Sequence, residues 1–179
     1  MGLRASGKST LARELSRVLA MPMLDLDDVV AAAVGCASAG EVIGRIGLAG
    51  FRAHEARCLA RVLSRRARVG PIVLALGGGT PTAPRAAALL RRARTRDGAI
   101  IVYIRADAST LARRQRASPV NRPRLTGLPL DLEVRRLLRQ RDAVYRRLST
   151  ATLRVDRLTP RDAVAALVGL VALTRSARG

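Results

Sequence analysis

The sequence predicts a single α/β domain built on a parallel sheet, and three observations predict it. Two apolar runs of strand length, 72–76 and 99–104, have the continuous hydrophobic character of strands buried on both faces. Helical patterns alternate with such runs along the chain. The opening stretch, Gly2-Leu3-Arg4-Ala5-Ser6-Gly7-Lys8-Ser9, matches G-x-x-x-x-G-K-[ST] at every fixed position.

The elements follow in order. Residues 9–20 read as a helix with Leu11, Leu15, Val18 and Leu19 on one face. Met21-Pro22 breaks it, and 23–25 is a short strand. A second helix runs through Val34 and ends at Gly35. Ser38-Ala39-Gly40-Glu41 is a capping-box pattern for a short third helix, 47–50 a turn, and 51–66 a further helix. The strand at 72–76 runs into Gly77-Gly78-Gly79. Helices are expected at 84–94 and 108–116, and a loop rich in Pro, Gly, Asn and Arg over 117–129. A long basic helix covers 130–148, a last strand 151–155, and Thr159-Pro160 opens a helix that ends near Leu173. The domain is expected to span 1–174, with 175–179 a disordered tail.

The pattern at 2–9 is a phosphate-binding loop. Its glycines let successive backbone N–H groups cup an anion, and the following helix points its positive end at the same place. Lys8 reaches the β- and γ-phosphates, and the Ser9 hydroxyl is suited to Mg²⁺. Lys8 is the only lysine among 33 basic residues, so this position demands an ammonium where the composition elsewhere supplies arginine. Such a loop ordinarily follows a buried strand, and no apolar run precedes Gly2. Four to six residues rich in Val, Ile and Leu are expected upstream, so that the first strand is expected to be missing from these residues.

Composition narrows the class. With 179 residues and 49% hydrophobic content the chain can bury a core. The longest apolar stretch, 163–173, is too short to span a bilayer. Cys36 and Cys58 lie far apart and His54 is the one histidine, which excludes a zinc site of ordinary spacing and fits a reduced cytoplasm. The formal charge of +20 invites nucleic acid. Against that, the arginines are scattered and aromatics are only 2%, so there is no stacking platform. No specific nucleic-acid or membrane partner is expected, and a monomer is.

In a parallel α/β sheet ligands bind beyond the C-terminal strand ends. Asp25-Leu26-Asp27 sits at one such end, with two carboxylates facing one cleft; a helix N-cap with an acidic first turn, supplied by Asp27 or Asp28, is the competing reading. Gly77 to Gly79 lets a ligand approach bare backbone. Arg52 offers a planar fork for a carboxylate, oriented by Glu55 one turn later, or the two form a solvated pair. Arg122, in the loop, suits closure over transferring phosphate. Arg141 taken alone is one arginine among many on its helix.

Taken together, GLRASGKST, the DLD after a short strand, FRAHE, LALGGGT, RPRL and the R-x-x-x-Y of Arg141 to Tyr145 resemble the shikimate kinase family, in family order from Met1 to about Asp156. The resemblance implies a three-layer P-loop kinase fold with strand order 2-3-1-4-5, the absent strand being the central one. It implies transfer of the ATP γ-phosphoryl group to the 3-hydroxyl of shikimate. It assigns ATP to Arg4, Ala5, Ser6, Gly7, Lys8, Ser9, Thr10 and the lid arginine Arg122. Mg²⁺ falls to Ser9 and Asp25. Shikimate falls to Asp27, which is also the base, and to Arg52, Gly78, Gly79 and Arg141. The adenine-clamping arginine is one of Arg113, Arg114 and Arg116. Arg124 departs from the small or apolar residue more usual there. The rivals are another small-molecule kinase such as a gluconate kinase, a non-catalytic sensor domain, and a basic nucleic-acid-binding protein.

Overall fold

A computed structural model describes residues 1–118 and 127–176. The order is α1 (Lys8–Val18), β1 (Met23–Asp25), α2 (Leu26–Val34), α3 (Ala39–Val69), β2 (Val73–Ala75), a 3₁₀ turn (Thr80–Thr82), α4 (Pro84–Thr95), β3 (Val102–Arg105), α5 (Ala108–Arg116), α6 (Leu130–Leu148), β4 (Ala151–Arg154) and α7 (Pro160–Ser176). Local signals set most boundaries. Gly35 closes α2 with φ 71° and ψ 40°. The Ser38 hydroxyl accepts from Glu41 N at 3.2 Å, while the Glu41 carboxylate reaches back to Ala37 N at 2.8 Å. Thr159 Oγ1 caps α7 by accepting from Asp162 N.

Three expectations shift. The turn at 47–50 shrinks to one residue: Gly47 (φ 70°, ψ 169°) interrupts α3, and the chain is helical on both sides of it. Helix α7 continues through Ser176, and the rest of the expected tail, 177–179, lies outside the described residues. The expected strand at 99–104 is regular only over β3, for a reason that lies in the sheet.

The sheet is in two halves. β1 pairs with β2 in parallel, Met23 opposite Val73, and β3 pairs with β4, Val102 opposite Ala151. Between the halves, among the described residues, lies a cavity of about 650 Å³. Leu11 and Leu15 of α1, Val73 and Leu74 of β2, Ile100 and Val102 of the β3 run, and Leu167 and Val171 of α7 line it. This is the slot of the expected missing central strand. Ahead of β3, Ile101 still turns its peptide toward the β4 side, where its N–H donates to the Thr150 hydroxyl and its carbonyl accepts from Thr150 N. The core closes around the slot. Leu26, Val30, Val42, Leu59, Leu111, Tyr103 and Tyr145 are essentially without exposure.

Met1 stands at the slot's mouth. Its carbonyl accepts from Ile104 N at 2.8 Å, and its ammonium donates to Val102 O at 2.8 Å. The ammonium's pKa is pushed down from 8.0 to about 5, first because burial strips its water, then because the Lys8 ammonium repels it. The unfolded chain therefore binds more protons than the folded one between pH 5 and pH 8, and stability rises with pH across that window. The full difference amounts to about 4 kcal/mol. Acetylating the Met1 amine should abolish this slope, raising stability at pH 5.5 and leaving it little changed at pH 8.5. Chemical denaturation of both forms across this range checks it, and parallel slopes would contradict it.

Candidate active site

The site is built at the C-terminal ends of β1 and β2. Leaving its loop, the chain enters α1 at Lys8, with Gly7 at φ 88° as the residue before the helix. Lys8 Nζ donates to Leu3 O at 2.8 Å, across the loop itself. Ser9 Oγ donates to Asp25 Oδ2 at 2.6 Å, and Asp25 Oδ1 accepts from Asp27 N at 3.1 Å. Asp25 thus caps α2 and holds Ser9 at once. Asp25 and Asp27 both line the cavity, and the cap of α2 is Asp25 rather than Asp27 or Asp28, which lie in its first turn.

On the opposite wall, Arg52 Nη1 donates to Glu55 Oε2 at 2.6 Å. Glu55 is wholly buried, and the Thr80 hydroxyl donates to its other oxygen at 2.5 Å. A buried carboxylate needs such partners. Arg141 Nη1 reaches across from α6 to Gly78 O at 3.0 Å, and the Tyr145 hydroxyl donates to the same carbonyl. Burial pushes the Tyr145 phenol above its ordinary range, so it remains a donor at neutral pH. Its ring lies 5.0 Å from that of Tyr103 at 57°. Tyr103 in turn donates to Asp142 Oδ1 at 3.0 Å, tying α6 to β3.

One cavity of about 320 Å³ collects Arg4, Lys8, Ser9, Asp25, Asp27, Arg52, Gly78, Gly79 and Arg141. Predicted residues of both ligands therefore share a single space; Ala5, Ser6, Gly7 and Thr10 are not among its lining, and Arg122 lies outside the described residues together with Arg124. Ala5, Ser6, Gly7 and Thr10 belong to the loop and the first turn behind Lys8. The adenine arginine stays open: Arg114 donates to Val155 O at 3.3 Å, Arg116 pairs with Asp131, and Arg113 is exposed. Sequence reasoning missed Thr80, the clamp by Tyr145, and Glu133, which is buried and lines the cavity. Thr80 had a signal, since it directly follows the three glycines; Glu133 had none.

Ser9 and Asp25 form a pair of hard oxygen donors. Mg²⁺ is commonly held by one or two carboxylates together with phosphate and water, so this pair fits it. Among the described residues no group of three His, Cys, Asp or Glu side chains could hold a metal alone.

The fold and the site together define a P-loop small-molecule kinase. The family model for shikimate kinase matches residues 4–171. Shikimate kinase 2 of Sodalis glossinidius (strain morsitans) is 32% identical over 170 residues, covering 94% of this chain and 91% of its own. A shikimate kinase from Acinetobacter baumannii, solved in complex with shikimate, superposes with a TM-score of 0.82 at 28% identity, over 96% of this chain and 89% of that one. A gluconokinase from Sinorhizobium meliloti 1021 shares the fold with a TM-score of 0.58 at 19% identity, over 99% of this chain and 93% of its own. The chain belongs to the shikimate kinase family.

The packing over Gly77 generates a prediction. A Cβ there would lie 2.6 Å from Asp27 Oδ1 and 3.1 Å from both Glu55 Oε1 and Thr80 Oγ1. Glu55 is buried and doubly held, so it cannot swing away. Gly77→Ala should cost about 1–3 kcal/mol in urea denaturation. A midpoint equal to that of the parent would mean that these carboxylates move freely.

Proposed function

We propose that the chain transfers the γ-phosphoryl group of ATP to the 3-hydroxyl of shikimate, a step of aromatic amino-acid biosynthesis. The observation that carries this reading is the shared cavity. A phosphate-binding loop forms one wall, and two arginines suited to a carboxylate reach into the same space from the other. ATP lies with its phosphates over Arg4 to Thr10, and Lys8 exchanges Leu3 O for phosphate oxygens. Shikimate's carboxylate takes the forks of Arg52 and Arg141, with Glu55 holding Arg52 in orientation. The backbone at Gly78 and Gly79 faces the ring. Asp27 holds the acceptor hydroxyl and takes its proton as the new oxygen–phosphorus bond forms and the bond to the β,γ-bridging oxygen breaks, leaving ADP. Mg²⁺ at Ser9 and Asp25 neutralises phosphate charge when bound. The resemblance assigns Arg122 to the phosphates as well.

The same reading makes the chain one catalytic domain, acting as a monomer in the cytoplasm without a nucleic-acid partner. Among the described residues no single helix is long and apolar enough to cross a membrane. A non-catalytic sensor has no need of Lys8, Asp25 and Asp27 around one cavity, which favours the enzyme.

Shikimate-dependent ADP release in the presence of Mg²⁺ tests the reading, and a clear preference for gluconate would overturn it. Asp27→Asn should lower kcat ~10²-fold or more, since general-base help is lost. ATP binding should persist, because Asp27 faces the acceptor. Turnover within a few-fold of the parent would remove Asp27 from the mechanism.

A further inference from the structure

Among the described residues three carboxylates line the active-site cavity, and the reaction as derived above uses two of them. Asp25 holds Ser9 and caps α2, and Asp27 faces the acceptor hydroxyl. The third is Glu133, in the first turn of α6. Its N–H makes the opening bond of the helix, to Pro129 O at 2.9 Å, and only 2% of the residue is exposed. An acid at a helix N-terminus complements the dipole, but that does not account for the burial. Asp131 supplies the same charge from the exposed side of this turn, where it pairs with Arg116 of α5. A buried carboxylate also repels anionic ligands from a cavity that presents Arg4, Lys8, Arg52 and Arg141 to them. A site that takes a triphosphate and a hydroxy acid keeps such a charge only where the charge has a partner of its own.

We propose that Glu133 is a specificity-determining residue for the acceptor: its carboxylate accepts a hydrogen bond from the hydroxyl that stands across the acceptor from its own carboxylate, which in shikimate is the 4-hydroxyl. The inference rests on the functional reading above and deepens it. Helix α6 sets the geometry. Glu133, Leu137 and Arg141 follow one another four residues apart and all line the cavity, so they form one stripe along the helix. At 1.5 Å per residue, Glu133 lies about 12 Å along the axis from Arg141. Arg141 and Arg52 hold the acceptor's carboxylate, so an acceptor anchored there has its far end toward Glu133. In shikimate the 3-hydroxyl goes to Asp27, and the 4-hydroxyl lies directly opposite the carboxylate on the ring. A six-membered ring with a substituent and a hydrogen bond at each end fits between the two side chains. Glu133 is engaged within the protein as well. A carboxylate offers about four acceptor sites on its two oxygens, so one more hydroxyl is accommodated. An acid that lacks this hydroxyl leaves a buried charge unanswered, and the site rejects it.

The test is a substrate comparison in two variants. Glu133→Leu removes both acceptor oxygens at similar bulk, and Glu133→Gln keeps one and removes the charge. For each protein kcat/KM is measured at saturating ATP with shikimate, 4-deoxyshikimate and 5-deoxyshikimate. The parent should prefer shikimate to the 4-deoxy acid. Glu133→Leu should reduce that preference at least tenfold and Glu133→Gln about threefold, since a hydrogen bond to a charged group is lost or weakened. The preference over the 5-deoxy acid and the KM for ATP should stay within about twofold. If shikimate and the 4-deoxy acid lose or gain equally, so that the preference is unchanged, the inference is overturned, because a packing defect or a general charge effect acts on both alike. Glu133→Gln decides this by itself if Glu133→Leu does not fold. Failure of the functional reading shows separately, in the parent. Should it phosphorylate gluconate and not shikimate, the same variants are compared on gluconate and its deoxy acids, and an unchanged preference there overturns the role of Glu133 as well.

Discussion

The carbonyl of Gly78 is where the two halves of the site are joined. On one side the Gly78 backbone presses against the phosphate loop: a Cβ there would lie 3.3 Å from Gly2 O and 3.5 Å from Arg4 N. On the other side its carbonyl takes both the Arg141 guanidinium and the Tyr145 hydroxyl. The distance between the phosphate loop and the acceptor arginine is thereby set through one peptide group. Phosphoryl transfer has little covalent chemistry for a protein to supply, so the positioning of donor and acceptor is the main contribution. The rest of the structure holds this joint. Tyr145 is buried against Tyr103, and Tyr103 is anchored to Asp142. Arg105 and Arg146 converge on the same carboxylate. Burial raises the Asp142 carboxyl's pKa, but the hydrogen bonds from Tyr103, Arg105 and Arg146 outweigh it and leave the pKa lowered.

A second principle governs the charges. In a protein with a net charge of +20, three acids each hold a side chain that shapes the site or the helix over it. Asp25 holds Ser9, Glu55 holds Arg52 and Asp142 gathers three donors. Glu55 shows the logic most clearly. A wholly buried carboxylate is costly unless paired, and its partners here are a cavity-facing arginine and a threonine from the glycine loop. Removing its charge would release Arg52 and Thr80 together.

Much of this was legible in the sequence because it rests on local signals. The helices 108–116 and 130–148 match α5 and α6, since hydrophobic spacing and flanking Pro and Gly determine them. The phosphate loop, the DLD carboxylates and the glycine run were readable because each demands particular residue types at fixed spacing. A gap in the sheet was readable because that loop ordinarily follows a strand, and the two half-sheets lie on either side of a cavity. Long-range contacts were not readable. Arg141 on its own helix looks solvated; only the packing of α6 over the glycine loop brings it to Gly78. Thr80 follows the three glycines and Tyr145 ends the R-x-x-x-Y pattern, but neither pattern announces the contact it makes, and Glu133 carries no local pattern that distinguishes a site residue from a core one.

The account stands on the Gly78 clamp, and Tyr145→Phe tests it by removing one oxygen from a buried ring. Steady-state kinetics with shikimate varied at saturating ATP is the measurement. A hydrogen bond of this kind contributes about 0.5–1.5 kcal/mol, so the KM for shikimate should rise roughly 3- to 10-fold as Gly78 and Arg141 lose their register. The account predicts that kcat stays within about twofold, because Lys8 and Asp27 are untouched. A variant with a lower Tm but an unchanged KM for shikimate would show the clamp to be a packing contact and would contradict the account.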